Sequence, residues 1–399
     1  MKRVSWMGQR ALLLVFALAS FAGQANDLQK LGHIHGIAFG GEEGETLLLA
    51  THQGLFSYEQ ERAQRISDEV FDVMGFAIDA NRKAIFASGH PASGGNTGLL
   101  KSIDGGISFE RLSLGVAGPV DFHQLTVSGI NPEIVYGVHG KLQISADGGA
   151  SWRVQSGSLP PKLLQLAASD VSDQRLYAAS EQGLYLSDDQ GKSWRQLFPY
   201  PATSVVVAHR RVYAFVVGKG VVASAEETLF WREIDNRFGA QVLLDLAIAE
   251  EGLRMVGLTQ MGTLVESVDQ GLNWRSLPPG PQPSSAQEKR GQLLFQKNCQ
   301  SCHGIAAVGE TYSIESLTTQ NYLFAPALNG SAHAWHHLDE QLVDTILEGS
   351  PRTPKMPAWK ESMSEQDARD VVAYFKSLWQ EKHRRCQGPK HMDRDCLAE

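Results

Sequence analysis

From Leu28 to Leu277 the chain is a succession of short apolar and β-branched runs, each closed by Gly, Asn, Asp or Ser. Leu163 to Ala168, Arg175 to Ala179, Gly183 to Ser187 and Trp194 to Phe198 are four such runs in one stretch, each of strand length. The group repeats with a period of about 40 residues, marked by the pattern S-x-D-x-G-x-x-W or a close variant of it. Copies begin at Ser102 (with Asp104, Gly106 and Phe109), Ser145 (Asp147, Gly149, Trp152), Ser187 (Asp189, Gly191, Trp194) and Ser267 (Asp269, Gly271, Trp274). Degenerate copies fall in phase at Ser57 and at Ser224, the latter with Glu226 and Trp231, which makes six units. A four-stranded unit cannot bury both faces alone, so such units close in a ring. The pattern over residues 28–277 therefore predicts an all-β six-bladed propeller.

Beyond Leu277 the period changes. Residues 278–284 are Pro-rich and predict an extended, semi-stiff spacer that restricts the position of the next domain. Ser285 to Glu288 reads as a capping box opening a helix with Gly291, Leu294 and Phe295 at helical spacing. Ser364, with Asp367 three residues on, caps a last one from Glu365 to about Trp379. Residues 285–379 thus form a small all-α domain, and residues 380–399 a tail.

The chemistry of this domain centres on Cys299-Gln300-Ser301-Cys302-His303-Gly304. Two thiols two residues apart reach the two vinyl groups of one porphyrin, and the next imidazole faces its iron, so the spacing predicts one covalent haem c with His303 as proximal ligand. A redox dithiol or half a zinc site is the alternative, but no second Cys pair stands at zinc-finger spacing. Met356, in a loop with Pro351, Pro354 and Pro357, is the expected second axial ligand, and Met363, beside the Ser364 cap, is its competitor. Gly291, Phe295, the Cys299 to His303 motif, the Pro326 loop, Met356 and the helix bearing Val371, Tyr374, Phe375 and Leu378 resemble class I cytochrome c. That resemblance implies haem wedged between crossing helices, His/Met ligation that raises the reduction potential, and one-electron transfer. Ala332-His333-Ala334-Trp335-His336-His337 matches a pattern of some bacterial class I cytochromes and is read as structural, with a second metal motif as the alternative.

The chain opens with Lys2, Arg3 and Arg10 and an apolar run from Ala11 to Ala22, too short to span a bilayer, followed by Gly23 and Ala25. Residues 1–25 read as an export signal cleaved near Ala25, with Ala22 as the other site and an uncleaved anchor as the alternative. Haem c is attached outside the bacterial inner membrane, so a periplasmic protein is expected, with no membrane span after cleavage. In that oxidising compartment Cys386 and Cys396 are expected to pair as a disulfide, the alternative being a small copper site with His391 and Met392. The 399 residues, 42% hydrophobic and 20% charged, are enough for a large core plus a small second domain, and a net charge of −8 gives no basic footprint for nucleic acid.

The repeated turns are Asp-box motifs. Their Asp and Ser bond turn amides and their Gly takes positive φ, which is a structural role. They resemble the sialidase-type (BNR) repeat and sortilin-like propellers. Through Gly32 to Gly36, Ala50 to Phe56 and Asp121 to His123 the chain further resembles exported bacterial propellers loosely labelled glycosyl hydrolases. Sialidases use an arginine cluster with a Tyr nucleophile, and no equivalent set of arginines matches here, so glycosidase chemistry is not expected.

Histidines break the symmetry of the ring. His33, His35, His52, His90, His123 and His139 lie in the first three repeats, and the other three contain only His209. His33, His35 and His123 fall at the start of an innermost strand, the others near the end of a second strand, so all six are expected at one mouth of the channel, opposite the Asp-box turns. Imidazole is a common ligand for copper, zinc and iron, and Met74 and Asp121 are further candidate ligands. As an analogy, the arrangement is similar to nitrous oxide reductase, whose propeller histidines hold copper, but the repeat family differs and the histidines occupy half the ring. A solute or partner surface and purely structural bonding are the other readings. Two functions are consistent with these features: a redox module with a metal or substrate in the propeller, relaying electrons through haem to a periplasmic redox partner, or an electron carrier or sensor whose propeller only docks proteins.

Overall fold

The computed structural model describes residues 28, 31, 33–41, 46–79, 84–238, 241–249, 252–277, 283–310, 325–330, 332–351, 353 and 355–388. The expected export signal, residues 278–282 of the linker, and Cys396, His391 and Met392 lie outside them.

Among the described residues twenty-four strands form six antiparallel four-stranded sheets, each of four consecutive strands. The first blade holds β1 (Ile34–Gly40), β2 (Thr46–Thr51), β3 (Gly54–Glu59) and β4 (Arg62–Arg65), and the second β5 (Phe71–Ile78), β6 (Ile85–Pro91), β7 (Leu99–Ser102) and β8 (Glu110–Ser113). The third holds β9 (Gln124–Val127), β10 (Val135–His139), β11 (Lys141–Ser145) and β12 (Arg153–Val154), and the fourth β13 (Leu163–Ala168), β14 (Leu176–Ser180), β15 (Gly183–Ser187) and β16 (Arg195–Phe198). β17 (Ala202–Ala208), β18 (Arg211–Val216), β19 (Gly220–Ala225) and β20 (Arg232–Asp235) make the fifth, and β21 (Leu243–Ala249), β22 (Arg254–Thr259), β23 (Leu264–Ser267) and β24 (Arg275–Leu277) the sixth. Inner strands β1, β5, β9, β13, β17 and β21 touch in that order, and β21 returns to β1. The seam is closed by packing, with Phe39, Leu47, Leu49 and Phe56 of the first blade against Ala247, Val256, Leu258 and Leu264 of the last.

The Ser-x-Asp turns show why the repeat needs its residues. In one of them Ser102 Oγ accepts from Gly106 N (2.8 Å) and donates to Asp104 Oδ1 (2.7 Å), while Ser108 donates its N–H and hydroxyl to the same carboxylate. Gly106 sits at φ 93°, and a Cβ there would stand 2.5 Å from Leu55 of the preceding blade. The same bonds recur around Asp147, Asp189 and Asp269. In the fifth blade Glu226 replaces the Asp, is fully buried, and accepts from Asp170 N of the neighbouring blade (2.9 Å) instead.

These turns carry a pH dependence. Hydrogen bonds, first from Ser108 and Ser151 respectively, lower the Asp104 and Asp147 carboxyls from 3.8 to about 2. At Asp189 burial opposes the shift, but the bonds from Ser193 and Ser187 prevail and hold it at about 2 as well. A folded-state value below the unfolded one means stability that is full above 3.8 and is lost as pH falls towards 2. The thermal midpoint of the propeller, followed by circular dichroism, is therefore expected to fall across that window. Asn at Asp104, Asp147 and Asp189 should lower the midpoint at neutral pH and flatten its acid dependence.

The C-terminal part is helical: α1 (Ala286–Asn298), α2 (Gln300–His303), a 3-10 turn Ile305–Ala307, a second 3-10 turn His333–His336, α3 (Asp339–Glu348), α4 (Glu365–Ser377) and α5 (Glu381–Arg385). Reciprocal capping boxes open α1 at Ser285 and α4 at Ser364. The two helices cross at Gly291, where a Cβ would lie 1.8 Å from the Asp370 carbonyl, and Arg290 clamps the crossing through Asp370 (2.9 Å). Phe295, Val343, Ile346, Met363, Val371, Phe375 and Trp379 fill the core beneath.

Candidate functional site

α1 delivers the Cys299–His303 segment and buries it unequally: Cys299 is partly buried, Cys302 is exposed, and both thiols are free. Burial, with Cys302 nearby, pushes the Cys299 thiol up to about 12. His303 is buried, which lowers its pKa and keeps the imidazole neutral, and its Nδ1 meets the Pro326 carbonyl at 2.9 Å. That bond fixes the ring and the tautomer, leaving Nε2 as the lone-pair donor to a metal. Two free thiols and an imidazole so fixed fit a covalent porphyrin whose iron takes Nε2. Around them Leu294, Leu328, Trp335, Leu347, Met356 and Trp359 are half-buried against the helical core. Met356 lies in the loop between α3 and α4, where its carbonyl accepts from Ser350 N (3.1 Å), whereas Met363 is 6% exposed inside the core. In the Ala332–His337 segment, Trp335 stacks on His383 at 5.0 Å. Cys386 is buried and disulfide-bonded.

This segment rests on the propeller. Ile305 N donates to Gln241 Oε1 (2.7 Å), Gln300 Nε2 donates to the Arg237 carbonyl (3.3 Å), and Ile305 is buried in one cluster with Phe238, Leu243 and Trp274. Arg237 and Gln241 belong to the connection from β20 to β21, on the face where inner strands begin.

The histidines lie on that same face, around a central channel of about 550 Å³ that His35, Met74 and His123 enter at one end and His209 at the other. Inner strands bulge near their start, between Ile34 and Gly36, Val73 and Gly75, Leu163 and Gln165, Ala202 and Ser204, and Leu243 and Asp245. A bulge re-aims the extra side chain. The extra residues are His35, Met74, Leu164, Thr203 and Leu244, and in the third blade His123 stands at the matching position, just before the Gln124–Val138 pair. Two residues earlier stand His33, Asp72 and Asp121 in the first three blades.

His33, His35 and His52 bring ring nitrogens within 4.8 Å of one another: Nδ1 of His33 and of His35 are 3.3 Å apart, and His35 Nε2 is 3.2 Å from His52 Nδ1. Asp72 joins them, its carboxylate oxygens 3.2 Å from His35 Nε2 and 2.8 Å from His52 Nδ1. Burial, outweighing Asp72, lowers His35 to about 4, so its imidazole is neutral at neutral pH and offers one ring-nitrogen lone pair. The second group is His90, His123 and Asp121, with His90 Nε2 at 3.2 Å and His123 Nε2 at 2.6 Å from Asp121 Oδ2. His139 stands apart from the carboxylate, its Nδ1 on the Asp121 carbonyl (3.0 Å). Sequence reasoning misses Asp72 and Gln241. Asp72 is findable from its place in the repeat, two residues before Met74 as His33 and Asp121 are two before His35 and His123, whereas Gln241 leaves no signal.

Inside the channel Asp245 accepts from Ile37 N (2.8 Å), Gln165 Nε2 (2.6 Å) and Leu246 N (2.8 Å), tying three blades together. Its burial raises the carboxyl to about 6.

The chain is a six-bladed β-propeller followed by a cytochrome c domain, the class of module that binds haem and transfers electrons. Residues 286–375 match the family described as cytochrome c oxidase, cbb3-type, subunit III. Solved structures similar to the propeller include a GH74 enzyme from Niastella koreensis, with 17% identity and a TM-score of 0.45 over 61% of this chain and 45% of that one. YCF48 from Cyanidioschyzon merolae is 16% identical, with a TM-score of 0.40 over 61% of this chain and 84% of that one. An ancestral GH74 enzyme is 14% identical, with a TM-score of 0.41 over 61% and 37%. The chain thus spans less than half the length of either GH74 structure. No helix among the described residues is long and apolar enough to cross a membrane.

Proposed function

We propose that this chain is a periplasmic electron-transfer protein whose propeller holds a transition metal beside its own cytochrome. Cys299 and Cys302 would carry one haem c by thioether bonds, with His303 Nε2 and the Met356 thioether as donors to its iron. When bound, the haem supplies a one-electron Fe(III)/Fe(II) couple. The chain's residues do the rest: the Pro326 carbonyl orients His303, the core around Phe295 and Val371 excludes water, and Gln241 and Ile305 hold the haem segment on the propeller. His33, His35, His52 and Asp72 offer three imidazoles and a carboxylate, a set that suits copper(II) or zinc(II). Copper is the reading that joins the two modules, since it can exchange single electrons with the haem. A periplasmic redox partner would meet the cytochrome from outside.

The observation that carries the metal reading is the convergence of His33, His35 and His52 on one another, with Asp72 against His35 and His52, at the face where the haem segment docks. Elemental analysis of the haem-loaded protein tests it. At least one equivalent of non-haem metal per haem is expected after incubation with copper, and its loss in the His33→Ala/His52→Ala variant. Iron equal to haem alone, with no other metal, would leave the propeller as a docking platform, a role the Gln241–Ile305 contact also suits.

A further inference from the structure

We infer that the histidine face carries two metal centres, the second built on Asp121, His90 and His123. The inference deepens the metal reading of the propeller and rests on it. Asp121 is the reason for a separate site. Its side chain is 4% exposed, and Oδ1 is buried without a hydrogen-bond partner while both imidazoles crowd Oδ2. A buried carboxylate oxygen with no donor is costly, and a cation satisfies it. The imidazoles are set for the same task. His90 turns its Nδ1 to the Gly95 carbonyl (2.9 Å), which leaves Nε2 on the Asp121 side, and a metal-bound histidine is held by the same kind of bond through its other nitrogen.

The repeat supports the same division. Asp121 and His123 occupy in the third blade the places that His33 and His35 occupy in the first, so each outer blade brings its own pair to the channel mouth. The second blade lies between and serves both. Asp72 and His90 are cross-strand partners on β5 and β6, yet Asp72 turns to the first group and His90 to the second. Gly75 lets the second and third blades close up, since a Cβ there would lie 1.8 Å from the Phe122 carbonyl, next to His123. Two nitrogen donors and one carboxylate make a site for a borderline divalent ion, copper(II) or zinc(II), rather than for magnesium or calcium.

The test is copper(II) stoichiometry on the full-length, haem-loaded protein, stripped with a chelator, loaded in non-coordinating buffer, desalted and analysed. Two equivalents per haem are expected, falling to one in His90→Ala/His123→Ala and to one in His33→Ala/His52→Ala. Asp121→Asn, which keeps the shape of the side chain, should also hold one, and matching near-ultraviolet circular dichroism controls for folding. Two equivalents kept by Asp121→Asn and by the His90/His123 pair would overturn the second centre. So would a single equivalent in the wild type, whether lost to either histidine pair, as for one shared site, or only to His33→Ala/His52→Ala. No copper in any form would overturn the first centre as well.

Discussion

Met356→Ala is expected to lower the haem reduction potential, whereas Met363→Ala is expected to leave it unchanged and destabilise the domain instead. The two methionines differ in surroundings, and the two outcomes follow from that. Met356 is half-buried in the loop between α3 and α4, at the rim of the helical core, where a thioether can reach a cofactor. Thioether ligation favours ferrous iron, and axial ligands move haem potentials over a range of about 0.8 V, so losing the Met donor should shift the midpoint by on the order of 0.1 V or more. Met363 is 6% exposed among Val371, Phe375 and other core side chains, and truncating a buried Met costs about 2–5 kcal/mol. Spectroelectrochemical titration together with thermal unfolding separates the two. A potential shift in the Met363 variant alone would reverse the ligand assignment.

Ile305→Asp should release the cytochrome from the propeller. Ile305 is 1% exposed and packs with Phe238, Leu243 and Trp274, and its amide is bonded to Gln241. A carboxylate there has no cationic partner in that cluster, and an unpaired buried charge costs at least several kcal/mol, more than one docking contact can supply. The expected readouts are a larger radius of gyration in small-angle scattering and, for the copper site proposed above, slower electron exchange between that copper and haem, with an unchanged haem spectrum. Compact scattering with an unchanged rate would mean that the contact does not hold the two modules together.

Much of this molecule is legible in the chain because its signals are local. The Ser-x-Asp turns close within a few residues, as Ser102 and Asp104 show, and so do the capping boxes at Ser285 and Ser364. The number of blades, and a helical domain after them, follow from such signals. The illegible part depends on residues distant in the chain. Gln241 lies 64 residues before Ile305, and Gln165 lies 80 before Asp245. Neither pair has a pattern, because nothing in an isolated glutamine says which blade it will meet. From the chain alone the proline-rich spacer predicts a limited range of positions for the cytochrome, whereas the haem segment is seated on one place, the connection between the fifth and sixth blades. The histidines are legible as a group but not as two clusters, since contacts across strands and between blades decide which ring nitrogen faces which aspartate.

The bulges at the start of five inner strands, together with the matching place of His123 before β9, make the channel mouth a six-fold set of sockets. Three are filled by donor side chains, His35, Met74 and His123, and three by Leu164, Thr203 and Leu244, of which the leucines are 37% and 41% exposed. Because the backbone supplies the aim, a designer could add a donor by changing one side chain, with no need to reshape a loop. Leu164→His would place an imidazole beyond His123, so the same ring can be given a further donor without any change of backbone.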